Sequence, residues 1–243
     1  IRFYLLHRSL GEIIGKTIQK HFSPEKKKHQ NHHQKGDFTM GELQENLAQK
    51  LLEKACDLIS SNFEIAFPQM TLWKLARFTD SCIKASEILH RRGIMNCNEA
   101  RQISAKFGFI YIAQASVEDD PTLQELMAGL LANAMDPNFA KEKLRLAYLD
   151  ILKSLDPCDA QILTYCYKKK LPCVMTKDDV TKALNIGEDT YDCSLENLKR
   201  LLLVRVPTRY CDLAISEEAY AANDNSHFQL TQYCQNFLQA CAL

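Results

Sequence analysis

The chain has 243 residues, 46% of them hydrophobic, and its 30 Lys/Arg are balanced by 30 Asp/Glu. That is enough apolar material for one or two packed domains, and a zero formal net charge is not that of a dedicated nucleic-acid binder, which is clearly basic. Eight Gly and seven Pro favour long helices over a strand-and-turn fold.

Residues Ile1 to Phe22 are amphipathic: Phe3, Leu6, Leu10, Ile13, Ile14 and Ile18 recur at helical spacing among Arg2, Arg8, Lys16 and Lys20. Pro24, the Lys26–Lys28 run, the His/Gln stretch and Gly36 then make a polar linker with too little apolar surface to order itself. Residues 1–39 hold eight Lys/Arg against three carboxylates, about +5. Two helices are expected at Leu43 to Phe63 and Leu72 to Arg92, with Gly93 placed for a left-handed helix end. A helix around Glu99 to Ala115 follows. Another, Leu123 to Met135, is bounded by Pro121 and the Asp136–Pro137 stop.

Shorter helices are expected from Leu144 onward: Leu144 to Leu155, then one opened by Asp156–Pro157 and running to about Lys169. Thr176 is a good N-cap, with Asp178 and Asp179 well placed for the helix dipole and Asp179 resembling a capping-box partner. That helix runs to about Ile186 and ends at Gly187. A longer one spans about Asp189 to Leu203. Val204 to Val206 and Tyr210 to Ile215 alternate as a hairpin would, and a helix from about Thr231 to Ala242 closes the chain. The expected fold is all-α: a basic helix and linker (1–39), a helical domain (40–143) and a winged-helix-like domain (144–243) with one small β-hairpin.

Ten cysteines (Cys56, Cys82, Cys97, Cys158, Cys166, Cys173, Cys193, Cys211, Cys234 and Cys241) lie scattered, with no C-x-x-C pair. With no secretory signal in view, they read as reduced, buried thiols of a cytoplasmic protein. No apolar run reaches the length of a membrane span. His29, His32 and His33 lack helical ligand spacing and neighbouring Cys or carboxylates, so no metal and no cofactor are expected. No phosphate-binding, dinucleotide, zinc-protease or nucleophile-elbow motif occurs. Ser81 and Lys84 form an S-x-x-K of a kind that arises often by chance. Asp119 and Asp120 read as helix N-terminal charges rather than an acid/base pair. The chain is therefore not expected to be an enzyme.

One stretch is distinctive. Ala115 to Asp120, the helix Leu123-Gln-Glu-Leu-Met-Ala-Gly-Leu-Leu-Ala-Asn-Ala134 and the stop Met135-Asp136-Pro137 resemble the signature of the abortive-infection alpha family. Tyr148 to Ala160, Ser86 to Ile94 and the ending Phe228 to Thr231 with Phe237 and Cys241 are similar to further family segments. The resemblance covers roughly residues 72–243. Met127 and Gly129 depart from it, standing where the family usually has Trp and Asn. It implies a role in aborting phage infection and no known chemistry. Within this signature, Leu123, Glu125, Leu126, Leu130, Leu131, Asn133, Asp136 and Pro137 also have a purely structural reading. Leu123, Leu126, Leu130, Leu131 and Ala134 form a core stripe, and Asn133 sits where an amide can satisfy a free carbonyl.

Three functional readings follow. The first is a non-enzymatic sensor or effector of phage defence working through a protein partner or self-association. The second is a transcriptional regulator using the winged helix on DNA, and the third a membrane-active effector using residues 1–20 on a membrane surface. The second is weakened by the candidate recognition helix, which carries Glu188, Asp189, Asp192 and Glu196 against only Lys199 and Arg200. From Asp150 to Leu243 ten Lys/Arg face thirteen Asp/Glu. Duplex DNA is thus not the expected partner, and those six residues form the candidate interaction face.

Overall fold

A computed structural model describes residues 72–95, 98–169, 175–205 and 227–241. The amphipathic stretch and linker of residues 1–39, the helix expected at Leu43 to Phe63 and the strand expected at Tyr210 to Ile215 lie outside them. In chain order the elements are α1 (Leu72–Arg91), α2 (Ala105–Ala115), α3 (Pro121–Met135), a 3₁₀ turn (Lys141–Lys143), α4 (Ala147–Ser154), α5 (Pro157–Lys168), β1 (Met175–Thr176), α6 (Lys177–Leu184), α7 (Glu188–Arg200), β2 (Val204–Arg205), β3 (His227–Leu230) and α8 (Gln232–Cys241).

Local chemistry sets most boundaries. Gly93, at φ 84°, closes α1 in the left-handed conformation that costs glycine little. Ser104 is extended, and its hydroxyl accepts the Phe107 N–H, so α2 starts at Ala105 rather than near Glu99. Asp120 Oδ1 accepts the N–H groups of Thr122 and Leu123 at 2.9 and 3.0 Å, which places Pro121 inside the first turn of α3. Asp159 Oδ2 accepts the Asp156 N–H at 2.9 Å and opens α5. The Thr176 hydroxyl accepts the Asp179 N–H, and Asp179 accepts back from that hydroxyl rather than from the backbone. The end of α6 corrects the expectation. Asn185, at φ 53°, takes the left-handed position, while Gly187 is extended and starts α7.

The described residues are mostly helical and carry a small three-stranded antiparallel sheet in the order β1-β3-β2, of which β2 falls on the first strand of the expected hairpin. Central β3 pairs Phe228 with Met175 on one side and Leu230 with Val204 on the other. Val204–Arg205 thus pairs with His227–Leu230, across residues 206–226. The two-residue β1 carries too little alternation to announce itself.

The described residues pack as two units: those within 72–119 with 127–141, and 120–126 with those within 142–241. In the first, α1 and α2 bury Phe78, Ile83, Leu89, Tyr111 and Ile112. In the second, α7 lies on α5 and α6, and α8 lies on α5. Tyr148 meets Phe237 edge-on at 5.5 Å, and Tyr191 tilts against Phe228 at 6.3 Å. Asn197 ties the layers together, its amide donating to the Ser154 carbonyl and the Asp159 carboxylate.

Six cysteines are described, all free. Cys82, Cys166, Cys234 and Cys241 are buried, Cys158 is half-buried and Cys193 is exposed. Burial pushes the Cys166 thiol up to about 12 and raises Cys234 and Cys241 as well. Above the ordinary thiol pKa of 9.0 the unfolded chain releases protons that the folded chain keeps, so stability falls as pH rises. Urea unfolding should give a flat stability from pH 7 to 8. A decline is expected above pH 9, approaching roughly 1 kcal/mol per pH unit for each buried thiol. Cys166→Ala should make that decline shallower, and an unchanged slope would show that this thiol titrates alike in both states.

Candidate functional site

Two sets of residues stand out, and the structure gives them different work. The signature residues fall on α3 and the turn that follows it. Every residue from Leu126 to Asp136 is buried, so the helix has no solvent face over that length. Leu123, Leu126, Leu130 and Leu131 are core residues, Leu130 fully so. Glu125 and Pro137 are exposed. The buried polar pair at the helix end, Asn133 and Asp136, meets one arginine. Arg92 Nη1 donates to Asn133 Oδ1 at 2.6 Å and to Asp136 Oδ2 at 3.1 Å. Asp136 Oδ1 accepts the Asn138 N–H at 2.8 Å, folding the Asp-Pro stop into a turn. Arg101 holds the same turn from the other side: its N–H donates to the Met135 carbonyl at 2.6 Å, and its guanidinium donates to the Pro137 and Phe139 carbonyls.

Asn133 thus accepts from a guanidinium through its amide oxygen. Arg92 and Arg101 are the residues that sequence reasoning missed. The signal was weak, an Arg before the helix-ending Gly93 and an Arg in a polar stretch, with partners 34 to 44 residues away. The arrangement clamps the C-terminus of α3, where a cation is also favoured by the helix dipole.

Ser81 is buried, and its hydroxyl is hydrogen-bonded to the Tyr111 phenol, which in turn donates to the Met127 carbonyl at 3.2 Å. Ser81 of the S-x-x-K therefore lies in the core, while Lys84 is half-buried. Asp120 caps α3, and Asp119 makes a surface ion pair with Arg77 at 3.6 Å. Among the described residues no group of His, Cys, Asp or Glu is placed to hold a metal ion. His29, His32 and His33 lie outside them.

The second set is on α7. Its inner face is Tyr191, Ser194, Leu195 and Leu198, all buried. Diametrically opposite, Asp189, Cys193, Glu196 and Arg200 form one exposed stripe at spacings of four, three and four residues. Glu188 and Asp192 lie to one side and close on Lys177, the first residue of α6, at 3.1 and 2.9 Å. Lys177 also sits over the Tyr191 ring, 5.7 Å from its centroid. The Asp192 hydrogen bond holds the Lys177 ammonium above the ordinary lysine range. Lys199 pairs with Glu196 at 2.9 Å, and the Arg200 guanidinium donates twice to Asn197 Oδ1. Of the six candidate face residues, Asp189, Glu196 and Arg200 thus share the outward stripe. Glu188 and Asp192 instead fasten α7 to α6, and Lys199 is largely occupied beside Glu196.

The clamp predicts a graded mutational series. Asp136→Ala removes the acceptor of both Arg92 and the Asn138 N–H and should cost about 2–4 kcal/mol in equilibrium unfolding. Asp136→Asn should cost less. Leu130→Asp, which buries a carboxylate without a partner, should cost at least several kcal/mol. Glu125→Ala should stay within about 0.5 kcal/mol. Equal effects at Glu125 and Asp136 would show that burial is not what distinguishes the signature positions.

No helix of the described residues is long and apolar enough to cross a membrane. No curated protein and no solved structure is significantly similar to the chain. A family model described as abortive infection alpha matches residues 83–241, a span that takes in the α3 clamp, the sheet, α7 and α8. By that match the chain belongs to the abortive infection alpha family.

Proposed function

We propose that this chain acts in phage defence inside the cell by protein contact, through the exposed stripe of a winged-helix unit, without catalysing a reaction and without reading duplex DNA. Family membership supports the phage-defence role. The order α5, β1, α6, α7, β2, β3, with β3 between β1 and β2, supports the winged-helix reading. In such a unit α7 takes the place of the recognition helix.

One observation carries the rest: the outward face of α7 presents Asp189 and Glu196, and its remaining two carboxylates absorb Lys177. Phosphate contacts supply most non-specific affinity for DNA, and each needs an available Lys or Arg. Here the approach of a duplex would bring like charges together, whereas a protein surface can match alternating charges on a stripe. The bonding of Ser81 to Tyr111 and of Asp120 to the start of α3 gives both residues structural work, which supports the non-catalytic reading. The basic stretch of residues 1–20 remains an alternative membrane-surface element outside the described residues.

Two measurements test the proposal. Titrated with mixed-sequence duplex at near-physiological salt, the full chain should bind no more tightly than about 10 µM through α7. Tighter binding that is lost on Lys199→Glu with Arg200→Glu would establish the regulator reading instead. Binding that survives those changes belongs to the basic residues 1–39. In phage plating, Asp189→Arg with Glu196→Arg should lower protection at least about tenfold while leaving the melting temperature unchanged. Full protection by that variant would remove α7 from the function.

A further inference from the structure

We propose that the occupant of the α7 stripe is a second copy of this chain, packed antiparallel about a two-fold axis. The inference rests on the protein-contact reading and names its partner. Three observations carry it.

The first is charge order along the stripe. Asp189 lies at its N-terminal end and Arg200 at its C-terminal end, both exposed. Among the described residues Asp189 makes no ion pair, and Arg200 meets only the neutral amide of Asn197. A helix that is acidic at one end and basic at the other is its own complement when turned end for end. Antiparallel packing sets Asp189 of one copy against Arg200 of the second copy, twice over. The same register sets Cys193 opposite Glu196.

The second is Leu202, just beyond the helix. It is 70% exposed, the most exposed large apolar side chain among the described residues, and its φ is 58°. Its N–H and that of Leu203 close the end of α7 onto the Lys199 and Leu198 carbonyls, and its own carbonyl accepts from the Thr231 hydroxyl. Three hydrogen bonds thus hold a leucine in a left-handed conformation that suits glycine, with its side chain in water. Neither the isolated fold nor solvation favours leucine there, whereas an intermolecular contact does. In the antiparallel register Leu202 lies level along the helix axis with the exposed Gly187 of the other copy.

The third is net charge. With 30 basic and 30 acidic residues, two copies meet without long-range repulsion. The contact of two 13-residue helices with their flanking turns falls in the weak class of interfaces below about 1,200 Å². Association is therefore concentration-dependent, and salt weakens it by screening the exposed pairs.

Sedimentation of the full chain from about 10 to 500 µM tests this. The expected result is a reversible monomer–dimer equilibrium that shifts toward monomer as salt rises. Asp189→Arg and Arg200→Asp should each be monomeric alone. Mixed, they should form a heterodimer, because the arginine introduced into one chain then faces the aspartate introduced into the other, while the native Arg200 and Asp189 pair as before. Leu202→Gly should weaken the dimer without lowering the melting temperature. A wild-type chain that stays monomeric throughout, or a mixture that fails to associate, overturns the proposal. If the Asp189→Arg with Glu196→Arg chain still loses phage protection in that case, the stripe binds a different protein and only the second copy is excluded.

Discussion

A helix without a solvent face must satisfy every polar group it carries inside the protein, and α3 is such a helix from Leu126 to Asp136. Its apolar residues fill the interior, and small ones, Ala128, Ala132 and Ala134, let neighbouring chain approach closely. Its polar end cannot be left bare, because an unpaired buried carboxylate costs several kcal/mol or more. Arg92 meets Asp136 and Asn133 together, and Arg101 takes up carbonyls of the turn beyond. The family's most recognisable segment thus owes its pattern to packing and to the charge it must neutralise.

The second unit solves a different problem. Its two adjacent helices α6 and α7 are short and strongly charged, with only Val180 buried on α6 and four residues on α7. Apolar burial on that scale leaves the helix pair in need of a further tie, and Lys177 supplies it by bridging to Glu188 and Asp192 from the first turn of α6. A cation at a helix N-terminus opposes the dipole, and the two carboxylates with the Tyr191 ring offset that. Glu188 and Asp192 are thus drawn to Lys177 and Glu196 pairs with Lys199, which leaves Asp189 as the α7 carboxylate without an ion pair among the described residues.

Met127 and Gly129 show how the buried helix tolerates departure from the pattern. Both are buried. Met127 contributes its carbonyl to Tyr111 regardless of its side chain, and a flexible thioether adapts to the space a larger residue would occupy. The Tyr111 contact uses the Met127 backbone carbonyl and so does not depend on the Met127 side chain.

The sequence by itself determined the elements. Apolar spacing placed α1, α3, α5, α7 and α8, and caps such as Thr176 and the left-handed Gly93 set their ends, because these signals act within one or two turns of chain. It also revealed the carboxylate-rich α7 and the family, both properties of contiguous residues. Only the tertiary structure decided that Arg92 meets Asn133 and Asp136, that Lys177 draws off Glu188 and Asp192, and that His227–Leu230 is the central strand. Those pairings join residues far apart in the chain, and two- to four-residue strands are stabilised by their neighbours across the sheet rather than by their own composition. Leu202 combines the two classes: its N–H bonds the Lys199 carbonyl three residues back, a local helix-end pattern, while its carbonyl accepts from the distant Thr231 hydroxyl.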